Sequence, residues 1–157
     1  MCIRDRDRPV FGLVWAGNPR HQNDRNRSIP LRLLAPLLEQ QAVRWVSLQV
    51  GPRAMDIAAA GFTDRLFDAT PQLTDFAETA AALMQVDLLI AVDTAVAHLA
   101  GALGRPCWLL LPFAPDWRWG QQGERCAWYE SLRLWRQPAP GDWASLIPEI
   151  AVSIQRR

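Results

Sequence analysis

Asp93, Thr94 and His98 stand where a chain can build a seat for negative charge. Residues 88–92 (LLIAV) read as a buried strand, Asp93-Thr94 closes it, and a helix of small residues follows, carrying His98 in its first turns. The first backbone N–H groups of a helix have no internal partner, and the helix dipole adds about half a positive charge there. Asp93 or Thr94 is expected to cap this helix, leaving the N–H of Ala95 and its neighbours directed outward. His98 lies four residues after Thr94, on the same face, and can donate to a phosphate oxygen. Each feature also has a plain reading: a cap and nothing more, or a structural helix histidine.

A second loop offers complementary chemistry. Residues 10–16 (VFGLVWA) form an apolar run ended by Gly17-Asn18-Pro19, a strong turn signal. The polar stretch up to Ser28 carries Arg20, His21, Arg25 and Arg27 against a single acid, Asp24. Arg27 and Arg25 are expected to supply charge-assisted, bidentate contacts to an anion, unless they are merely solvated. Two such bonds contribute several kcal/mol, at roughly 1.5–3 kcal/mol each. The pair Trp117 and Trp119 can stack on a base or sugar, or pack on their own domain.

The elements that must position these residues follow from periodicity. Ser28 and Pro30 predict a helix start, with Leu31, Leu34, Leu37 and Leu38 as its apolar stripe and Pro36 as a kink or a later start. Residues 43–50 predict a second strand, 54–60 a weak helix and 66–68 a short strand. A helix over 75–85 is expected to turn Phe76, Ala80, Leu83 and Met84 inward. The strand at 87–92 and the helix from Thr94 to about Leu103 come next, with Gly104 as stop. Strands at 107–111 and 132–136 precede a terminal helix opened by Gly141-Asp142 and ending near Ile154. Strands apolar on both faces and separated by helices predict an α/β, Rossmann-like three-layer domain with a mainly parallel sheet of about six strands. In the order 3-2-1-4-5-6 the ligand crevice lies between the first and fourth strands, which brings the basic loop and the helix start together.

Composition narrows the function classes. The chain has 157 residues, 50% hydrophobic and 21% charged, with a net charge of +1, so nothing global argues for nucleic acid or an anionic membrane. Three cysteines, Cys2, Cys107 and Cys126, lack ligand spacing; Cys107 reads as strand core and the set as that of a reducing, cytoplasmic compartment. No apolar run reaches the roughly 18 residues of a membrane span. GNPRHQ after the first strand does not match GxGxxG, and no Walker motif, metal-ligand cluster or nucleophile elbow occurs. No cofactor and no metal are expected. MCIRDRDR (1–8) reads as a disordered start or non-native scar before a domain over 9–157, and the natural chain is expected to extend further upstream.

The segment DTAVAHLAGALGRP (93–106) resembles the Asp-Ser/Thr-Gly-x-x-His-x-Ala signature of family 9 glycosyltransferases, the heptosyltransferase relatives. The wider pattern is similar to the carboxyl-terminal module of bacterial tetratricopeptide-repeat proteins: WAGNPRHQNDRNRSIPL (15–31), SLQVGPR (47–53), LLPFAPDWRW (110–119) and PGDW (140–143). This resemblance implies one half of a GT-B fold, the half that holds a nucleotide-sugar donor without metal. It implies that Asp93, Thr94, Ala95 and His98 hold the donor diphosphate, that Asn18 and the Arg25–Ser28 stretch lie near the phosphates, and that Gln49 lies toward the nucleoside. Ala95 replaces the family's usual glycine, which puts a positive-φ turn there in doubt. His98 and Arg27 would stabilise the leaving group, while the base and the glycan or protein acceptor belong to an N-terminal domain this chain lacks. The chain alone is then expected to be inactive. The alternatives are a non-catalytic nucleotide-binding or scaffold module of a repeat protein and a GT-B-type epimerase domain.

Overall fold

The computed structural model describes residues 7–157. The expectation for residues 1–8 therefore lies, over 1–6, outside the described residues. Arg8 is tied down by a hydrogen bond from its guanidinium to the Gln41 carbonyl at 3.0 Å.

Six strands form one sheet: β1 (Val10–Val14), β2 (Arg44–Ser47), β3 (Leu66–Asp68), β4 (Leu88–Val92), β5 (Cys107–Leu111) and β6 (Leu132–Arg136). Their order is β3-β2-β1-β4-β5-β6 and all five pairings are parallel. The α/β Rossmann-like reading of the sequence is thus the observed architecture. Every residue of β1, β4 and β5 is buried, because helices and turns cover both faces. One face packs Leu13, Trp15, Leu34 and Ile90 against the terminal helix α6 (Trp143–Gln155). The other packs Val14, Leu48, Leu89 and Leu109 against α4 (Phe76–Leu83) and α5 (Ala95–Ala102). Each fully buried leucine contributes about 1.5–3 kcal/mol. Cys107 is strand core, and burial pushes its thiol far above its ordinary pKa.

The helices between strands are shorter than periodicity suggests. After α1 (Asp24–Arg27), the leucine stripe divides into a 3-10 turn, Leu31–Leu34, and a single α-turn, α2 (Ala35–Leu38). Pro36 sits in the first turn of α2, where its missing N–H costs nothing. The weak helix expected over 54–60 is a 3-10 turn, Pro52–Met55, running into α3 (Asp56–Ala59). In α4 the inward residues are Thr79, Ala82 and Leu83; Phe76 and Met84 are 62% and 54% exposed. The expected inner stripe is therefore corrected. Leu83 is buried as expected, whereas Phe76 and Met84, at the two ends of the helix, turn outward and Thr79 and Ala82 take inner positions.

β1 stops at Val14, two residues before the apolar run does. The N–H groups of Trp15 and Ala16 leave the ladder and donate to Gln49 Oε1, at 3.1 and 2.9 Å.

Candidate functional site

The strand order reverses between β1 and β4, and a cleft of about 770 Å³ opens at their carboxyl ends. Asn18, Arg27, Gln49, Asp93, Thr94, Ala95 and His98 all line it. The first loop reaches the cleft because it is folded tightly on itself. The Gly17 N–H donates to Ser28 Oγ at 3.0 Å, and the Ile29 N–H donates to the Trp15 carbonyl at 2.8 Å. Between those clamps, α1 presents Arg27, whose Nε lies 3.3 Å from Asp24 Oδ1 with both side chains largely buried. Asp24 is thus the partner of Arg27, and it orients the guanidinium over Gly17.

Arg25 and Ser28 do not line the cleft, contrary to the sequence expectation. Arg25 is exposed beside a separate depression near Pro19 and Arg53. Ser28 is buried and its hydroxyl is engaged in closing the loop. Gln49 is also corrected in role. It is 2% exposed, its Oε1 accepts from Trp15 and Ala16, and its Nε2 donates to the Ala16 and Val50 carbonyls. An amide with two acceptor and two donor bonds already made has nothing left for a nucleoside. Asn18 Oδ1 accepts from the Arg20 N–H at 2.9 Å, a local turn that presents the residue at the rim.

At the start of α5 the expected cap is not made. Thr94 occupies the N-cap position in extended conformation, but its side chain accepts no helix N–H, and Thr94 Oγ1 is buried without a hydrogen-bond partner. The Thr94 carbonyl accepts from Ala97 and His98 at 3.1 and 3.3 Å. The N–H groups of Ala95 and Val96 are therefore left uncapped by any side chain, beside an unsatisfied hydroxyl. No non-glycine among the described residues has positive φ, so Ala95 carries no strain.

His98 is held on three sides. Its Nδ1 lies 3.2 Å from the Tyr129 hydroxyl, its ring stacks on Trp119 at 4.9 Å, and its Nε2 is 3.9 Å from Asp93 Oδ1. Tyr129 was not singled out in the sequence, since nothing local marks a tyrosine in a loop. The two tryptophans of the preceding turn separate: Trp119 is 3% exposed and Trp117 is 72% exposed. Trp15, Trp45 and Trp108 are core.

Residues 112–131 form a long loop fixed by Arg136 of β6. Its guanidinium donates to the carbonyls of Trp119 (2.6 Å), Gly123 (2.9 Å) and Gly120 (3.0 Å). Asp116 caps the turn Trp117–Trp119, accepting from the Arg118 N–H at 3.0 Å and from its guanidinium at 2.8 Å. That backbone N–H outweighs the opposing effect of burial and, with the Arg118 side chain and charge and the more distant His98, holds the Asp116 carboxyl below its ordinary pKa. A smaller cavity of about 270 Å³ joins this loop to the first one, with Asn23, Arg27, Asp93, Asp116 and Arg118 in its wall. Among the described residues no His, Cys, Asp and Glu side chains cluster as a metal site, and no helix is long and apolar enough to cross a membrane.

Comparison with known proteins yields a family match to glycosyltransferase family 9 (heptosyltransferase) over residues 52–110, which include the Asp93–His98 segment. The chain is 28% identical over 151 residues to Protein FlbA of Caulobacter vibrioides, covering 94% of this chain and 25% of FlbA. Its fold is similar to that of the E. coli heptosyltransferase WaaC with ADP, with a TM-score of 0.64 and 17% identity over 97% of this chain and 44% of WaaC. It is also similar to the family 9 glycosyl transferase from Veillonella parvula DSM 2008, with a TM-score of 0.59 and 17% identity over 98% of this chain and 40% of that one. The chain thus spans a quarter of FlbA and less than half of either solved enzyme.

Proposed function

We propose, for a chain that is heptosyltransferase-like in its family match and Rossmann-like in fold, that the β1/β4 cleft holds the diphosphate of a nucleotide-sugar donor during glycosyl transfer. One observation carries this reading: Arg27, from a loop after β1, and the uncapped start of α5, after β4, face the same cleft. In the transfer, an acceptor hydroxyl attacks the anomeric carbon, and the bond from that carbon to the diphosphate oxygen breaks. Negative charge then grows on the leaving nucleoside diphosphate. The α5 N–H groups, the His98 Nε2 and Arg27 would meet that charge without metal, and preorganised donors in a partly enclosed site are the largest single source of such stabilisation. The hydroxyl proton would pass to a base on another domain, which would also present the glycan or protein acceptor. Gln49 contributes by fixing the cleft floor, not by touching the nucleoside.

The test is calorimetric titration of this chain with ADP, UDP and GDP. WaaC is known with ADP, which makes ADP the first probe. Arg27→Ala and His98→Ala should each weaken binding about tenfold or more, as expected for loss of a charge-assisted hydrogen bond. Equal affinity in all three proteins, or no binding to any nucleotide, overturns the reading.

A further inference from the structure

We infer that Tyr129 fixes the tautomer of His98, placing the imidazole proton on Nε2 and aiming it into the cleft; the functional half of this rests on the diphosphate reading above. The phenol ring lies flat on α5 at Gly101, one turn after His98. A Cβ at Gly101 would fall 2.6 Å from Tyr129 Cδ2, so only glycine lets the ring approach this closely. That approach brings the Tyr129 hydroxyl to 3.2 Å from His98 Nδ1, across 31 residues of chain. Trp119 packs on the imidazole with ring centroids 4.9 Å and planes 31° apart. Trp119 is itself pinned by Arg136, which donates to its carbonyl at 2.6 Å. The imidazole is thus held in plane and direction, and two groups decide which nitrogen bears the proton.

Asp93 makes the choice and Tyr129 reinforces it, because a phenolic O–H is a stronger donor to a bare imidazole nitrogen than its oxygen is an acceptor from an N–H. Asp93 Oδ1 lies 3.9 Å from Nε2, too far for a hydrogen bond but near enough for its charge to act. A lone pair on Nε2 would face that carboxylate and be repelled; an N–H is attracted. With the proton on Nε2, Nδ1 is bare and accepts from the Tyr129 hydroxyl, which has no other hydrogen-bond partner among the described residues. An Nε2–H can donate to a diphosphate oxygen. The other tautomer would present a lone pair to that oxygen and push it away. Tyr129 is a positioning residue: it never meets the ligand, yet it determines whether His98 attracts or repels it.

Nitrogen-15 spectra of the imidazoles test this without any ligand. The chain has only two histidines, His21 and His98, and His98→Gln assigns their signals. The spectra are recorded in mildly alkaline solution, where a neutral ring reports which nitrogen bears the proton. In the wild-type chain, His98 should show a protonated Nε2 and a bare Nδ1 shifted by an accepted hydrogen bond. Tyr129→Phe keeps the ring on Gly101 and should return the Nδ1 signal to the unbonded position, with the second tautomer appearing. A protonated Nδ1 in the wild type overturns the inference, and so do identical wild-type and Tyr129→Phe spectra. The first of these needs no variant, so a poorly folded mutant cannot shelter the idea. ADP titration forms a separate arm: Tyr129→Phe should weaken ADP about two- to tenfold, the range of one neutral hydrogen bond. Failure of the wild type to bind ADP counts against the diphosphate reading, while the spectra still decide the role of Tyr129; wild-type binding with unchanged Tyr129→Phe affinity counts against the inference.

Discussion

Arg27 lies across Gly17 so closely that residue 17 has no room for a side chain: a Cβ there would overlap the Asp24 carboxylate and fall 2.5 Å from Arg27 Nη2. The glycine is needed for space, since its φ lies outside the left-handed region. Gly17→Ala should therefore swing the Arg27–Asp24 pair away from the cleft. Both groups are the ends of movable side chains, so the unfolding midpoint should change little while ADP affinity falls several-fold. A variant with wild-type affinity would show that the guanidinium does not need its present seat.

Gln49 makes the opposite prediction. Its amide satisfies two N–H groups and two carbonyls where β1 and β2 end. Gln49→Ala leaves the buried Trp15 and Ala16 groups unpaired and should cost about 2–4 kcal/mol in chemical denaturation, given a penalty of roughly 1–3 kcal/mol for each group that finds no water. Gln49→Glu keeps the acceptor but loses both donors, and should also be destabilised. If either variant is as stable as the wild type, Gln49 is not the clamp its hydrogen bonds describe.

Arg136 organises the loop 112–131 through carbonyls that no lysine could fork between. Arg136→Lys and Arg136→Ala should speed amide exchange across residues 118–123 at least tenfold, with little change in β1 and β4. The global cost should be about 1–3 kcal/mol, the range for hydrogen bonds to a charged group. Unchanged exchange in that loop would contradict the assignment.

The lowered Asp116 pKa fixes the sign of a pH effect. A carboxyl with a depressed folded pKa adds stability that is complete above its unfolded value, about 3.9, and is lost as pH falls through the folded value. The turn Trp117–Trp119 should therefore keep its cap at neutral pH and lose it only in acid below pH 4. The Arg118 amide shift, followed by NMR, should titrate with a midpoint below 3.9, and Asp116→Asn should remove that inflection. A midpoint at or above the ordinary value would sink this prediction.

How far the sequence speaks for this molecule depends on the distance over which each feature is decided. β5 occurs where its apolar run stands, because a strand buried on both faces is written in adjacent residues. The strand order and the cleft between β1 and β4 follow from the same alternation of strand and helix. Bulk alone misleads on the inward face of α4: Leu83 is buried as expected, but Phe76 and Met84 lie at its exposed ends while Thr79 and Ala82 face inward. Thr94 was expected to cap α5 from a local rule; its hydroxyl instead sits buried without a partner. Arg25 and Arg27 look alike in sequence, and only the turn of α1 separates the one facing the cleft from the one facing solvent. Tyr129 could not be read at all, because its meeting with His98 requires the whole loop after β5 to fold back.

The pairing of β1 with β4 aligns Phe11 with Leu88 and Val14 with Ala91, although two other strands lie between them in the chain. Contacts of such high sequence separation form slowly, because the entropy of closing a large loop must be overcome before any of them is made. The cleft between β1 and β4 is consequently a property of the completed domain. Refolding followed by tryptophan emission should recover core signals before nucleotide capture, and a peptide carrying only one of the two loops should capture none.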